Sequence, residues 1–272
     1  MRFLAVFLVL FCLSLPAGAA SSAPSVEVMA GAMIMTGFRG TSVPEPFLEA
    51  VRKGRVGGVI LFDRDVTSGS ARNIASPQQV ARLTATLQKQ APRPLFIAVD
   101  QEGGQVRRLM PVRGFMNLPS AREMASLPAK EIFRLGQRAG REMARVGINV
   151  DLAPVVDIQS SRQSPGLGDM GRMFGTNAAA VSRLALAFAA GLEDGGVLPV
   201  LKHFPGLGSA VLDSHHELPD VTRTWRSCEL FPYSEAFRQG WKGMVLVGHV
   251  YHAGLDKKLP ASLSPAVIEK LL

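Results

Sequence analysis

Three short polar segments of this 272-residue sequence contain side chains suited to acid–base chemistry and to hydrogen bonding with a ligand. The first segment, residues 100–108, reads DQEGGQVRR: a carboxylate follows a hydrophobic run, and two glycines and then two arginines come after it. Asp100 can accept hydrogen bonds from two neighbouring hydroxyl groups, and glycines let the backbone pass close to a ligand. The segment therefore indicates a ligand site, with a turn held by a structural ion pair as the alternative.

The second segment, residues 201–208, reads LKHFPGLG and places Lys202 and His203 at the end of a hydrophobic run, before a rigid Pro-Gly loop. Lysine is rarely buried without a partner, so Lys202 in this position predicts a polar pocket. A lone histidine there would more often be a hydrogen-bonded core residue. The adjacent lysine and the loop that follows favour a site instead.

The third segment, residues 213–219, reads DSHHELP. Asp213, two residues before His215, can orient the imidazole and raise its basicity, so that the ring donates a proton to a leaving oxygen and later takes one from water. Two adjacent histidines beside acids also suit a metal. The sequence has no zinc spacing such as HExxH or CxxC, however, so we predict neither a metal nor a cofactor.

Short β-branched runs alternate with helical patterns along the chain. Strands are predicted over residues 30–36, 58–62, 95–100, 148–158, 198–203 and 244–250. Helices are predicted from Ser76-Pro77, with Val80, Leu83 and Leu87 on one face, and over residues 128–146, 177–194, 229–239 and 264–272. This alternation predicts an α/β fold with a parallel sheet and helices outside it.

The polar residues of these segments follow the predicted strands at their C-terminal ends: Asp100, Lys202 with His203, and His249. A (β/α)8 barrel carries its active site at that end of its strands. A doubly wound sheet also binds ligands there, so the position of the polar residues does not choose between the two folds. About six strands are predicted, whereas a barrel has eight.

The composition is that of a globular protein, 47% hydrophobic and 19% charged, with a net charge of +8 and a pI near 10. A basic surface suits nucleic acid, an anionic membrane or an anionic polymer such as a cell wall. The cations are scattered without a dense run or an aromatic ladder, so we expect no nucleic-acid partner. No GxGxxG or GxxxxGK[ST] follows a strand, which argues against a nucleotide-binding α/β protein.

Residues 1–20 are predicted to be a secretory signal peptide. Arg2 precedes an apolar stretch over residues 3–15, and small residues then allow cleavage after Ala19 or Ala20. The stretch is short for a membrane span, although an uncleaved anchor is the alternative. Cleavage would leave Cys228 as the one cysteine, so no intramolecular disulfide is expected. We expect an exported protein, periplasmic or secreted, without a membrane span.

The three segments, in this order and spacing, resemble glycoside hydrolase family 3, in particular its single-domain bacterial β-N-acetylhexosaminidase branch. The motifs are DQEGG…R, KHFPGxG and DSH, and the resemblance runs from about residue 31 to residue 272. Smaller matches are GGVILF at residues 57–62, APVVD at 153–157, RxFG at 172–175 and PASLS at 260–264.

The resemblance implies a family 3 N-terminal catalytic domain over residues 21–272, a TIM-type (β/α)8 barrel that is incomplete, with about six of eight strands. It implies a retaining exo-β-N-acetylglucosaminidase acting on cell-wall fragments or chitin oligomers, and we expect a monomer. His215 would be the general acid/base and Asp213 its partner, in a loop that closes over the sugar. The residues holding the terminal sugar would be Asp100, Arg108, Arg172, Lys202 and His203.

Two departures from the family pattern affect these expectations. Leu207 stands where the family loop commonly has histidine. The family nucleophile is an aspartate on the strand after the PASLS segment, and the sequence reaches Leu272 before such a strand. Asp256 precedes that segment and does not match, so we assign no nucleophile within the chain and expect a truncated enzyme, since retention requires a nucleophile.

Two alternatives remain open from the sequence. A β-glucosidase or β-xylosidase of the same family would keep the chemistry and change the sugar, although the DSH motif favours N-acetylglucosamine. If the 272 residues are the whole product, the protein would instead be a non-catalytic sugar-binding relic.

Overall fold

The computed structural model describes residues 24–65, 67–160, 164–213 and 217–272. The predicted signal peptide over residues 1–20 lies outside this part of the chain. Within it, no helix combines the length and the apolar character that crossing a membrane requires.

Six parallel strands form one sheet, and each of them pairs with the next strand of that sheet along the chain. The strands of this sheet are β1 (Met35–Thr36), β2 (Gly58–Ile60), β3 (Phe96–Val99), β6 (Val150–Asp151), β7 (Leu198–Phe204) and β8 (Met244–Val247). Two further strands, β4 (Gln101–Gly103) and β5 (Val106–Arg107), form a separate antiparallel hairpin directly after β3.

Helices precede, separate and follow these strands. They are α1 (Val26–Ala32), α2 (Glu45–Arg52), α3 (Pro77–Gln90), α4 (Ala121–Met124), α5 (Ala129–Arg145), α6 (Ala178–Asp194), α7 (Phe231–Arg238) and α8 (Pro265–Lys270). Short 3-10 turns occupy Pro111–Arg113, Ser227–Leu230 and Ala261–Leu263.

The strand order distinguishes between the two folds that the sequence left open. A doubly wound sheet reverses its strand order at one point, whereas this sheet runs β1-β2-β3-β6-β7-β8 without reversal. Apolar side chains are buried on both faces of the sheet: a large cluster lies against the helices, and a small one around Ala98, Val150 and Val200 lies on the other face. The arrangement is six consecutive strands of a (β/α)8-type barrel.

Most predicted elements are present, and the strands are shorter than predicted except β7, which continues to Phe204. The helix after Ser76 begins where predicted, because the Ser76 hydroxyl accepts a hydrogen bond from the Gln79 backbone N–H at 3.3 Å. The helices predicted over residues 128–146 and 177–194 are α5 and α6. The helix predicted over 229–239 divides into a 3-10 turn and α7, and the one predicted over 264–272 ends at Lys270.

Three strand predictions need correction. Residues 30–32 belong to α1, which begins after the capping residue Ser25, so the first strand is only two residues long. Residues 148–158 form no continuous strand: β6 has two residues, and after Pro154, which lacks a backbone N–H, one isolated bridge joins Val155 to Lys202. The strand predicted over 244–250 ends at Val247.

Helices α5 and α6 pack with their backbones in close contact, and glycines make this possible. A Cβ atom at Gly136 would lie 2.3 Å from the Phe188 carbonyl oxygen, and one at Gly191 would lie 2.1 Å from the Phe133 carbonyl oxygen. Neither distance is compatible with a side chain. Since α6 leads into β7, this contact sets the position of the strand that carries Lys202 and His203.

We predict that Gly191→Ala destabilises the protein by roughly 1–3 kcal/mol, because the added methyl group must push the two helix backbones apart. This is opposite in sign to the usual gain of about 1 kcal/mol when alanine replaces glycine inside a helix. Urea unfolding would measure the change. Ala190→Ser, at the exposed neighbouring position, is the control and should change stability by less than about 0.5 kcal/mol. An equal or higher stability of Gly191→Ala would contradict the close contact.

Candidate active site

Polar side chains from several distant segments of the chain meet above the C-terminal ends of the parallel strands. They line a cavity of about 680 Å³, which lies within the usual 300–1,000 Å³ range of small-molecule sites. Every described residue predicted to hold a ligand lines this cavity, and so does the predicted partner of the acid/base: Asp100, Arg108, Arg172, Lys202, His203 and Asp213. Parallel strands bring their C-terminal ends to one edge, so side chains distant in sequence lie together here.

Lys202 is buried at the end of β7, with 2% of its side chain exposed. Its Nζ lies 2.9 Å from Asp100 Oδ1 and 2.6 Å from Glu102 Oε1. Burial by itself would lower the pKa of Lys202, but the charges of Glu102 and Asp100 outweigh it and hold that pKa above its ordinary value. Lys202 is therefore a permanent cation in the floor of the cavity.

Glu102 joins Lys202 to Arg172 beneath the cavity. Arg172 donates to both oxygens of Glu102, from Nε and Nη2, at 2.7 Å each. Burial alone would raise the pKa of Glu102, but the positive charges of Lys202 and Arg172 outweigh this effect and lower the pKa to about 2. Arg172 also donates from Nη1 to the Gly166 carbonyl at 2.8 Å. Arg172 thus orders Glu102 and the 164–172 segment, and it also lines the cavity, so its predicted contact with the sugar stays a prediction.

Asp100 and Arg108 keep hydrogen-bonding capacity at the cavity surface. Arg108 Nη1 lies 3.6 Å from Asp63 Oδ1, and Nη2 lies 4.0 Å from Asp100 Oδ2, both longer than hydrogen bonds. Among the described residues, the buried Arg108 Nε has no hydrogen-bond partner. Asp100 Oδ1 accepts a hydrogen bond from Lys202 Nζ, and Oδ2 can accept one from a ligand hydroxyl. These groups can bind ligand hydroxyls without breaking an existing hydrogen bond.

His203 is oriented by Asp157. The His203 Nδ1 lies 2.7 Å from Asp157 Oδ2, so Nε2 is the ring nitrogen that can meet a ligand in the cavity. The other oxygen of Asp157 accepts from the Leu207 backbone N–H at 2.8 Å. The loop therefore uses the main chain of residue 207, and leucine in place of the family histidine leaves this hydrogen bond intact.

A second buried carboxyl group, that of Glu229, supports the same loop. Its Oε2 accepts from the Gly208 backbone N–H at 3.0 Å. Gly206 has φ of +121°, and a Cβ there would lie 2.5 Å from Glu229 Oε2, so only glycine fits. Burial, followed by the charge of Asp157, raises the pKa of Glu229 to about 8. The loop of residues 205–208 thus lies on two carboxyl groups.

Three structurally important acids were not assigned roles from the sequence. Glu102 lies within the DQEGG motif and Asp157 within APVVD, so the motifs contained them without indicating their contacts. Glu229 precedes α7 in an ordinary amphipathic pattern, and no sequence signal marks its proximity to the loop. Each contacts a residue between 21 and 100 positions away in the sequence.

The predicted acid/base dyad is described only at Asp213. Asp213 lies in the cavity wall, and a Cβ at Gly166 would lie 3.0 Å from its carboxyl carbon. His215 lies outside the described residues, so its geometry relative to Asp213 stays a prediction.

Residues 26–272 match the N-terminal domain of glycosyl hydrolase family 3, and the chain belongs to this family. A β-hexosaminidase of Xylella fastidiosa is 32% identical over 250 residues, which cover 88% of this chain and 70% of that protein. The β-hexosaminidase LpqI of Mycobacterium tuberculosis is 42% identical over 187 residues, which cover 66% of this chain and 46% of LpqI. The chain thus spans less than half of the length of LpqI.

Two solved structures with a similar fold come from enzymes whose names match those of these relatives. A family 3 β-N-acetylglucosaminidase from Paenibacillus superposes with a TM-score of 0.83 at 35% identity, covering 92% of this chain and 47% of that one. A β-N-acetylhexosaminidase from Beutenbergia cavernae has a TM-score of 0.81 at 28% identity, covering 92% and 74%. The predicted family and the predicted (β/α)8-type fold are confirmed.

We predict that Glu229→Gln makes the stability of the protein less sensitive to pH between about 5 and 8. The folded-state pKa of Glu229, about 8, is above the ordinary value of 4.5. In this window the unfolded chain loses the proton that the folded chain keeps, so rising pH favours unfolding. Glutamine cannot ionise and lacks this effect. Urea unfolding across the pH range would measure the slope.

The matched control is Glu193→Gln, which removes an exposed glutamate of α6 and should leave the slope unchanged. A Glu229→Gln protein whose stability falls with pH as steeply as the wild type would show that Glu229 is ionised in the folded protein.

Proposed function

We propose that this chain forms the sugar-binding region of a retaining β-N-acetylhexosaminidase that removes terminal β-linked N-acetylglucosamine. The observation that carries the proposal is the group of Asp100, Arg108, Lys202 and His203 around one cavity at the strand ends of a family 3 chain. The names of the relatives, β-hexosaminidase and β-N-acetylglucosaminidase, support the sugar.

In this proposal the terminal sugar is held by hydrogen bonds from side chains whose own positions are fixed. Asp100 Oδ2 accepts from a hydroxyl group, and Arg108 and the third N–H of Lys202 donate to hydroxyl oxygens. His203 meets the sugar through Nε2. Arg172 acts mainly through Glu102, which it holds against Lys202. A sugar bound this way would be fixed at its non-reducing end, which suits an enzyme that removes one terminal residue.

The proposed chemistry has two steps. An aspartate nucleophile, which we assign to no residue of this chain, displaces the leaving group at the anomeric carbon while His215 donates a proton to the glycosidic oxygen. His215 then takes a proton from water as the water displaces the enzyme carboxylate and releases the sugar. Asp213 orients the imidazole of His215. The position of Asp213 in the cavity wall supports this assignment.

The proposed substrates are cell-wall fragments or chitin oligomers, reached after export through the predicted signal peptide of residues 1–20. Residues 21–272 would then belong to the catalytic barrel domain, acting as a monomer without cofactor or metal. The net charge of +8 is compatible with work near an anionic wall.

A panel of para-nitrophenyl glycosides, assayed with the purified protein, tests the identity of the sugar. We expect the highest kcat/KM for N-acetyl-β-D-glucosaminide. Faster cleavage of the β-glucoside or β-xyloside would replace the proposal with one of those activities. If the folded protein cleaves none of the three glycosides but N-acetylglucosamine raises its Tm, the protein would be a sugar-binding relic.

We predict that His215→Ala slows hydrolysis of a natural oligosaccharide by about 10²–10⁴-fold and an activated aryl glycoside far less. The reason is that a poor leaving group needs its oxygen protonated, whereas nitrophenolate does not. Steady-state kinetics on chitobiose and on the nitrophenyl glycoside would measure the difference. His216→Ala removes the adjacent histidine and is the matched control. Equal losses on both substrates would reject His215 as the acid.

A further inference from the structure

The outer face formed by α3 and α5 contains most of the protein's excess positive charge. The two helices contribute seven cations and two carboxylates, a net of +5 out of +8 for the whole chain. They are adjacent where Thr84 Oγ1 donates to the Val146 carbonyl at 2.7 Å. We call this surface the cationic face, and its residues are Arg82, Lys89, Lys130, Arg134, Arg138, Arg141 and Arg145, all exposed.

The five cations of α5 form one straight row. At 100° per residue they fall within a sector of about 80° of the helix, and at 1.5 Å per residue they extend over roughly 22 Å. Neighbours along the row are about 4–6 Å apart. Glu131 lies at the edge of this sector. Glu142 is half-buried and accepts from the Met116 backbone N–H at 2.9 Å, so its carboxylate is used elsewhere.

Most of these cations form no ion pair within the described part of the chain, unlike several other surface cations. In the described part of the chain, Arg141 alone among the five forms an ion pair, at 3.8 Å from Asp194. On α2 and the turn after it, by contrast, Arg52, Lys53 and Arg55 each lie within 3.0 Å of a glutamate. Glu142 interacts electrostatically with Arg138 and Arg145 but forms an ion pair with neither. The guanidinium groups of Arg134, Arg138 and Arg145 therefore keep their capacity for bidentate binding of phosphate or carboxylate.

The same face has no apolar or aromatic features that would favour a membrane or unpaired bases. None of the exposed large hydrophobic side chains of the described residues lies on α3 or α5. Membrane-surface helices bury an apolar side, and single-stranded nucleic acids stack on aromatic rings. The charge pattern without these groups fits a linear, strongly hydrated anionic polymer.

We propose that the cationic face binds a linear polyanion with repeating phosphate groups. The face lies on the outer side of the helix layer, whereas the sugar cavity opens at the C-terminal ends of the strands. A bound polymer therefore leaves the cavity open, and the protein can stay attached to an anionic matrix while the cavity takes a separate ligand. This proposal does not depend on hydrolytic activity.

The test is binding of the full-length purified protein to immobilised sodium polyphosphate as salt concentration increases. The variant with Arg134→Gln, Arg138→Gln and Arg145→Gln removes three cations of the row. The matched control has Arg52→Gln, Lys53→Gln and Arg55→Gln, which removes the same charge from cations that already have glutamate partners. Circular dichroism and Tm confirm that both variants fold.

We expect the α5 variant to bind polyphosphate roughly tenfold or more weakly, with a shallower dependence on salt, and the control to change less than about threefold. Equal losses in both variants would show that net charge alone is responsible and would overturn the proposal. So would a wild type that does not bind at about 0.1 M salt, or one that binds anionic phosphatidylglycerol vesicles or duplex DNA more tightly than polyphosphate.

Discussion

Lys202 remains charged inside the protein because Asp100 and Glu102 both contact its ammonium group, and several other elements are placed by this requirement. A buried ammonium without such partners would lose its proton. The end of β3, the β4 strand and the end of β7 must therefore meet at one point. Glu102 accepts from Arg172 as well, which fixes the 164–172 segment against the hairpin. Removing Glu102 would leave the buried guanidinium of Arg172 without its carboxylate partner, and breaking a buried pair in this way typically costs about 3–5 kcal/mol.

The loop after β7 is likewise held by buried carboxyl groups from distant segments, through hydrogen bonds in place of ion pairs. Its backbone N–H groups at Leu207 and Gly208 donate to the carboxyl groups of Asp157 and Glu229. The Asp157 carboxyl group also orients His203, so one side chain holds both the imidazole ring and the loop. This arrangement explains why the loop accepts leucine at position 207 while its glycines are sterically required.

The sequence predicted the alternating fold and the polar strand-end residues Asp100, Lys202 and His203 from local patterns, whereas Arg172 was assigned to the site only through the resemblance to family 3. Buried strands and amphipathic helices appear as hydrophobic periodicity, and strand ends can be recognised by the polar residues that follow them. The contacts of Glu102, Asp157 and Glu229 depend on how distant segments meet, which no local pattern contains. Two strand predictions were wrong for a related reason, because the β-branched and apolar residues of 30–36 and 148–158 favour extended structure. In the structure, the helix capped by Ser25 includes residues 30–32, and Pro154 interrupts the second strand.

The close contact of α5 with α6 connects the outside of the molecule with its chemistry. Gly136 and Gly191 let the helices approach until their backbones touch, and α6 continues through a short turn into β7. A displacement of α6 would be transmitted along β7 to Lys202 and His203, whereas their partners Asp100, Glu102 and Asp157 lie on other segments and would not follow. Substitutions in the helix layer that displace α6 would therefore misalign the cavity side chains without touching the cavity itself. In such variants the polar side chains of the cavity would all be present but displaced relative to one another.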